Sequence, residues 1–286
     1  SSLESDPQYS SLQQPSAEQI APQWSLKIQR LSIRMDRFQG AEDARFAQVP
    51  ETQVTSPSTF SFTSDSDFSL IYDTGALRND LRFRGTYAEL SFDSGTEEEL
   101  ADDLRISFST EIPKYALSFS ESGEPSFSPY GEILLDTEFT PIETENEVLD
   151  RQKDISFTAG FSARKFWYFK MLRVGAFVLS DLSNTEQFAD YGGRAEAQTL
   201  TTFGPGLRFT TTIDSRLYGD TPDDNNSDLR FKTLIDARLA TPLVRFLDLS
   251  FFAQGFFFQG RVPETAVLSK SYTLGFSLDF RGVFDL

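Results

Sequence analysis

Residues Ser271–Phe280 read Ser-Tyr-Thr-Leu-Gly-Phe-Ser-Leu-Asp-Phe. The alternation is unbroken: Tyr272, Leu274, Phe276, Leu278 and Phe280 fall on one face, and Ser271, Thr273, Gly275, Ser277 and Asp279 on the other. Successive side chains of a strand point to opposite sides of the sheet, so this segment has one apolar wall and one polar wall. Such a strand fits a sheet standing between hydrocarbon and water.

The composition narrows what surrounds that strand. The chain has 286 residues, no Cys, no His, 29 Phe, 2 Met and a formal charge of −17. Without Cys there is no disulfide scaffold, thiolate metal site or lipid-modified N-terminal Cys. Without His the commonest general base and metal ligand is missing; neither a catalytic residue nor a cofactor or metal site is expected. The excess of acid makes nucleic acid an unsuitable partner. Mean hydropathy is −0.33, and no run approaches the ~18–20 apolar residues of a spanning helix. A barrel is compatible with these values, because its strands average a polar and an apolar face.

The polar segment 1–23, rich in Ser, Gln and Pro, shows no periodicity and reads as a tail or a plug. From Trp24 to residue 286 alternating segments succeed one another. Trp24, Leu26 and Ile28 alternate, the phase slips near Gln29–Arg30, and it resumes at Leu31, Ile33 and Met35, which predicts a β-bulge. A second slip separates Tyr87 from Leu90 and Phe92. Later segments end with hairpins at Gly204-Pro205-Gly206 and at Thr241-Pro242-Leu243-Val244. The facing of Leu172–Ser180 is ambiguous. About 12 strands result if Pro113 kinks the fourth strand, and about 13 if it marks a hairpin.

With Pro113 as a kink, short connections fall near 74–79, 121–126, 165–170, 204–206 and 241–246. Long ones fall at 36–57, 94–103, 141–152, 181–192, 219–228 and 261–268. Their alternation predicts an all-β, antiparallel, up-and-down transmembrane barrel with periplasmic turns, external loops and both termini periplasmic. Residues 93–103, 142–152 and 219–228 hold 14 acids and one base, Arg151. Phe166-Trp167-Tyr168-Phe169 beside a short turn suits an interfacial girdle. The acidic stretch Asp220–Asp228 offers hard oxygens but lacks the spacing and closing Glu of an EF-hand loop, and reads as a solvated loop.

The closing strand also resembles the C-terminal sorting strand of bacterial outer-membrane β-barrels, in which Gly is followed by hydrophobic residues three and five positions later: Gly275, Leu278 and Phe280. The resemblance covers Trp24–Phe280 and selects no family within that group. It implies insertion by the barrel-assembly machinery, contact with outer-membrane lipid, and a signal peptide removed before residue 1. Arg281–Leu286 departs from the pattern, since such barrels often end at the terminal aromatic; the strand either continues or gives way to a short tail.

Opposite the apolar positions stand Arg82, Arg84, Arg105, Arg208, Arg230, Lys232 and Arg238, with Asp65, Asp67, Glu132, Asp136, Asp214 and Asp236. Charges facing hydrocarbon would each cost roughly 2–4 kcal/mol at the midplane, so these residues are expected to line a lumen. Phe252, Phe256 and Phe258 also fall on the inward phase and predict a constriction. The expected function is a narrow passive channel for small polar solutes. The alternative is a non-conducting structural or docking component of an envelope assembly, with partners held by the acidic loops or the N-terminal segment.

Overall fold

A computed structural model describes residues 22–40, 43–46, 49, 59–91, 97–118, 126–137, 142–143, 148–149, 153–166, 168–183, 188–204 and 206–285. Of the segment 1–23 expected as a tail or plug, residues 1–21 lie outside the described residues, as does Trp167.

Twelve antiparallel strands form a closed barrel. They are β1 (Gln23–Gln39), β2 (Thr59–Asp73), β3 (Arg78–Ser91), β4 (Glu97–Glu111), β5 (Ser126–Thr137) and β6 (Lys153–Phe166), followed by β7 (Phe169–Asp181), β8 (Asp190–Phe203), β9 (Leu207–Tyr218), β10 (Leu229–Val244), β11 (Leu247–Gly260) and β12 (Ser269–Asp285). Each strand pairs with its neighbours in the chain, and β1 closes on β12 from Ser25↔Asp285 to Gln39↔Tyr272. Closure removes both sheet edges, so every strand has hydrogen-bonded neighbours on two sides. The residues after Phe280 continue the strand: Val283 and Phe284 pair with Lys27 and Leu26.

Both phase slips are irregularities of register. β1 shifts against both neighbours just after Ile28, and β3 shifts against β4 between Ala88 and Glu89. Pro113 interrupts the chain without reversing it. Pro113–Tyr115 forms one 3₁₀ turn, closed by Ala116 N–H donating to Pro113 C=O at 2.9 Å. Ile112 N–H still donates to Pro129 C=O of β5, and Leu117 and Ser118 rejoin β5 opposite Phe127 and Ser126. Proline cannot donate to a ladder, so the strand detours around it and the strand number stays at twelve.

Several boundaries differ from the alternation pattern. β4 begins at Glu97, so the expected connection 94–103 shrinks to 92–96, with Glu97 opposite Ser91. The strict alternation of short and long connections fails there, because 112–125 on the opposite side is the longer. The ladder therefore continues where period-two patterning in the sequence has stopped. The connection 138–152 contains a two-stranded pairing, Ile142–Glu143 with Val148–Leu149. β10 runs through Thr241–Val244 and turns at 245–246, with Pro242 at a register shift where its missing N–H does no harm. Gly204 and Gly206 of the β8–β9 turn have φ of 60° and 107°, a region that L side chains rarely adopt.

The wall is apolar outside and polar inside. Ile33, Phe62, Phe157, Val174, Phe251 and Leu274 are exposed, while Ser69, Ser250, Ser277 and Asp279 on the opposite phase have essentially no exposed surface. From Phe62 to Tyr72 on β2 is about 33 Å along the strand at ~3.3 Å per residue, or about 25 Å along the axis at a tilt near 40°, the height of a lipid-facing band. Aromatic residues mark both rims of that band. Trp24 packs against Tyr72, with ring centroids 4.7 Å apart, at the short-turn end, where Tyr115, Tyr168, Phe203 and Phe246 are also exposed. Tyr87 and Tyr191 are exposed toward the other end. The outer face thus presents hydrocarbon with apolar side chains and the headgroups with amphipathic rings.

Candidate functional site

The inward side chains come from alternate positions of all twelve strands, and cross-strand register determines which charges meet. Three clusters result.

On β1–β3, Asp65 receives Arg34 at 3.1 Å, Thr86 at 3.0 Å and Ser32 at 3.3 Å, while Asp36 accepts from Ser61 at 2.5 Å and Thr63 at 3.2 Å. Beside them Arg82 clasps Asp67 with Nε and Nη2 at 2.7 and 2.5 Å, the two-point fork that suits a carboxylate.

On β4–β9, Glu111 takes Arg164 at 2.8 Å and Arg173 at 2.7 Å. Glu132 contacts Arg194 and lies 3.6 Å from Arg173, and Arg194 reaches Asp214 at 3.0 Å. Arg105 bridges Asp103 at 3.1 Å and Asp136 at 3.0 Å.

On β9–β12, Arg238 meets Asp279 at 3.1 Å and lies 3.8 Å from Asp236. Asp279, with no exposed surface, also accepts from Ser250 at 2.6 Å and Ser277 at 2.7 Å. Arg208 and Arg281 both reach Asp248, at 2.5 and 3.4 Å. The guanidiniums of Arg34 and Arg238 each lie 5.2 Å from the centre of the Phe252 ring, which joins the first and third clusters through cation–π attraction.

An apolar cluster fills the mouth at the long-loop end. The chain between β1 and β2 carries the 3₁₀ turn Ala44–Phe46, and its Phe46 and Val49 are buried against Phe256, Phe258 and Leu229, with Leu234 packed alongside. Phe256 and Phe258 reach this position because they share β11's inward phase; their rings stack with centroids 5.5 Å apart. Below them lies a cavity of about 80 Å³, lined by Arg105, Asp136, Asp214, Arg216, Lys232, Leu234 and Phe256.

The loops over the same end are tied by Arg261. Its nearly unexposed guanidinium donates to Asp190 at 2.5 Å, Asp224 at 2.7 Å and the Leu229 C=O at 3.0 Å, and lies 5.2 Å from the Tyr218 ring centre. The carboxylates of Asp220–Asp228 point to separate partners. Asp220 pairs with Arg230 at 2.6 Å, Asp223 accepts the Phe188 N–H at 3.0 Å, and Asp228 accepts the Asn225 N–H at 2.7 Å. The Phe188 N–H holds the Asp223 carboxyl below its ordinary value. Burial would raise that of Asp224, but hydrogen bonds from Thr221 and Arg261 outweigh it and lower it. Burial dominates at Asp228 and raises its carboxyl.

Most of the thirteen charges singled out from the sequence lie in these clusters. Arg82 with Asp67, Arg105 with Asp136, Arg208 with Asp248, and Arg238 with Asp236 are ion-paired; Asp65, Glu132 and Asp214 each meet an arginine. Arg230 sits at the rim with Asp220. Lys232 lies 5.7 Å from the Tyr218 ring centre, and Arg84 stands opposite Arg105 in register, with no ion pair among the described residues. Asp36, Glu111, Arg173 and Arg261 were not singled out. Extending β1's phase past Met35 would have found Asp36. Glu111 sits beside the Pro113 break, and Arg173 lies on the strand whose inward face also carries Phe177. Arg261 follows β11, where no periodicity marks it.

No protein-family model matches the chain, and no curated protein matches it. Among solved structures, the chain is similar to the COG4313 outer membrane channel from Pseudomonas putida F1, with a TM-score of 0.47 and 9% identity over 92% of this chain and 96% of that one. It is also similar to the outer membrane channel DcaP of Acinetobacter baumannii, with a TM-score of 0.43 and 11% identity over 91% of this chain and 97% of that one. A third likeness is to OccK11 (OpdR) of Pseudomonas aeruginosa, with a TM-score of 0.35 and 9% identity over 91% and 96% of the two chains.

Proposed function

We propose that the chain is a narrow channel of the bacterial outer membrane that passes small charged or zwitterionic solutes. The observation that carries this reading is the lumen's inventory: charged and hydroxyl side chains occupy the inward phase of every strand, and a charged cavity of about 80 Å³ remains among them. A barrel filled only for rigidity would be served as well by packed apolar residues, because burying an ion pair gains little net stability over apolar residues of similar volume. Side-chain networks of this kind offer a desolvated solute successive replacement partners, much as charged rings do in selective pores.

In this reading the outer face contacts outer-membrane lipid, the barrel-assembly machinery inserts the chain after its signal peptide is removed, and both termini are periplasmic. The long-loop end, with Phe46 and Arg261, then faces outward. In this reading the charged side chains of the lumen serve passage rather than catalysis.

Discrete conductance steps of the purified barrel in a planar bilayer are the expected result. Silence across salts and voltages would overturn the channel. The Phe46–Phe258 contact in the mouth favours a second reading, a closed barrel that serves as an envelope component. Under that reading the barrel stays silent after Phe46 is removed, and crosslinking in intact cells captures a stable protein partner.

A further inference from the structure

We infer that the outer face of the β1–β12 seam, at the long-loop rim, binds the phosphate of an anionic lipid headgroup. The inference rests on the outer-membrane reading only for the leaflet concerned; the site itself is argued from charge and position.

The outward phase of the wall carries few charges, and they share one sign. The chain has 43 acids and 26 bases, yet the charged side chains described on that phase are Arg37, Lys153, Lys170 and Lys270, all exposed. Lys170 stands beside a short turn, and the other three stand at the long-loop end. Among the described residues no carboxylate pairs with Arg37 or Lys270.

Register places these two just beyond the apolar band. Met35 pairs with Phe62 on one side and Phe276 on the other, where the band ends. Arg37 lies one pleat further, opposite Leu274, and the pair Gln39 and Tyr272 one pleat beyond that. Two residues advance a strand about 5 Å along the axis at a tilt near 40°. The headgroup layer is roughly 5–8 Å deep on each side of the hydrocarbon, so Arg37 stands within it and Tyr272 at its water side. Lys270 is one pleat beyond Tyr272, and its ammonium folds back to 5.4 Å from that ring's centre. Phe257 holds the ring edge-on, with centroids 6.2 Å apart.

Arg37 and Lys270 thus bracket Gln39 and Tyr272 on two paired strands. Their Cα atoms are about 14 Å apart at ~3.3 Å per residue and ~4.8 Å between strands, a gap that two long side chains close onto one phosphate. Below them Ile33, Leu274 and Phe276 continue the same face as exposed hydrocarbon. One amphiphile meets both halves: its phosphate takes the guanidinium fork and the ammonium, and its acyl chains cover the apolar wall. A soluble anion would use the upper half alone.

The test is native mass spectrometry and thermal melting of the intact detergent-solubilised barrel. The probes are dimyristoyl phosphatidic acid and dimyristoyl phosphatidylcholine, which share their chains and differ in headgroup charge. Phosphatidic acid should bind more tightly and raise the melting temperature with its concentration, as linkage requires. Arg37→Gln and Lys270→Gln should each weaken that binding about fivefold, since a base near an anionic surface is worth ~1 kcal/mol. The double variant should bind both lipids alike. Lys114→Gln removes a base that lies over Tyr115 at the opposite rim, and should leave binding unchanged. All three side chains are exposed, so melting without lipid should stay near the native value, which separates lost binding from lost folding. Equal binding of the two lipids by the native barrel, or equal weakening by Lys114→Gln, overturns the site. Full displacement by inorganic phosphate at the lipid's own concentration also overturns it, in favour of a free anion. A silent barrel that prefers phosphatidic acid sinks the channel and spares this surface; a conducting barrel indifferent to headgroup does the reverse.

Discussion

The ring of Phe46 meets the ring of Phe258 edge-on, with centroids 4.9 Å apart and planes at 83°. Phe258 belongs to the wall and Phe46 to the connection between β1 and β2, so this contact holds a loop inside the barrel's mouth. Edge-to-face pairs add about 0.5–1.5 kcal/mol beyond the area they bury.

Phe46→Ala should release that loop without unfolding the barrel. Among the described residues 43–49, only Phe46 and Val49 are buried, so the cost falls on the loop and not on the ladder. Single-channel conductance in a planar bilayer should rise while the melting temperature stays near the native value. Unchanged conductance steps would show that the mouth does not restrict passage.

Gly275→Val should impair barrel assembly. A Cβ at Gly275 would stand 2.4 Å from the Met35 C=O of β1 and 2.8 Å from the Phe252 ring. The ring lies across Gly275 where β11 and β12 pair, and overpacking of this kind costs about 1–3 kcal/mol or more. Reduced heat-modifiable migration in detergent gels checks it. Phe252→Ala combined with Gly275→Val should recover only part of the loss, because the Met35 carbonyl remains.

Asp279→Asn should be among the most destabilising single changes in the lumen. It leaves Arg238, itself nearly buried, without its closest carboxylate. Breaking one partner of a buried pair costs about 3–5 kcal/mol, whereas replacing both with apolar residues can be neutral. Denaturant unfolding of Asp279→Asn, Arg238→Met and the double variant Arg238→Met/Asp279→Leu checks this; the double variant should be the most stable of the three. Equal losses in all three would contradict it.

Acid should act on the 219–228 loop in two opposite steps. Asp228, raised by burial, is penalised in its charged form at neutral pH, so the loop gains stability as pH falls through its folded value. Asp223 and Asp224 are lowered, so what they contribute is present above the ordinary carboxylate value of about 3.9 and is lost as pH falls through their folded values. Amide hydrogen-exchange protection in the loop, corrected for intrinsic rate, should therefore pass through a maximum in mild acid. Asp228→Asn should abolish the rise and keep the fall, and a monotonic profile in the native protein would refute the assignment.

The barrel was legible because lipid and water impose a period of two on every strand that separates them. Ser271–Phe280 shows this most cleanly, and the slips at Gln29–Arg30 and after Tyr87 marked real irregularities of register. The pattern faded where its physical cause faded. At Glu97–Asp103 acidic residues fall on both phases, and on β7 the inward face carries Phe177 beside Arg173, so neither stretch alternates clearly.

What the sequence by itself determined is the wall: which residues face hydrocarbon, which face inward, and that Phe256 and Phe258 narrow one end. The tertiary structure decided the partners. Asp279 meets Arg238, Glu111 gathers Arg164 and Arg173, and Arg261 ties Asp190 to Asp224. Pairing depends on the register of strands far apart in the chain and on closure of β1 against β12, and alternation carries no information on either. The same holds for Phe46, an ordinary loop aromatic until the closed barrel supplies Phe258 to receive it.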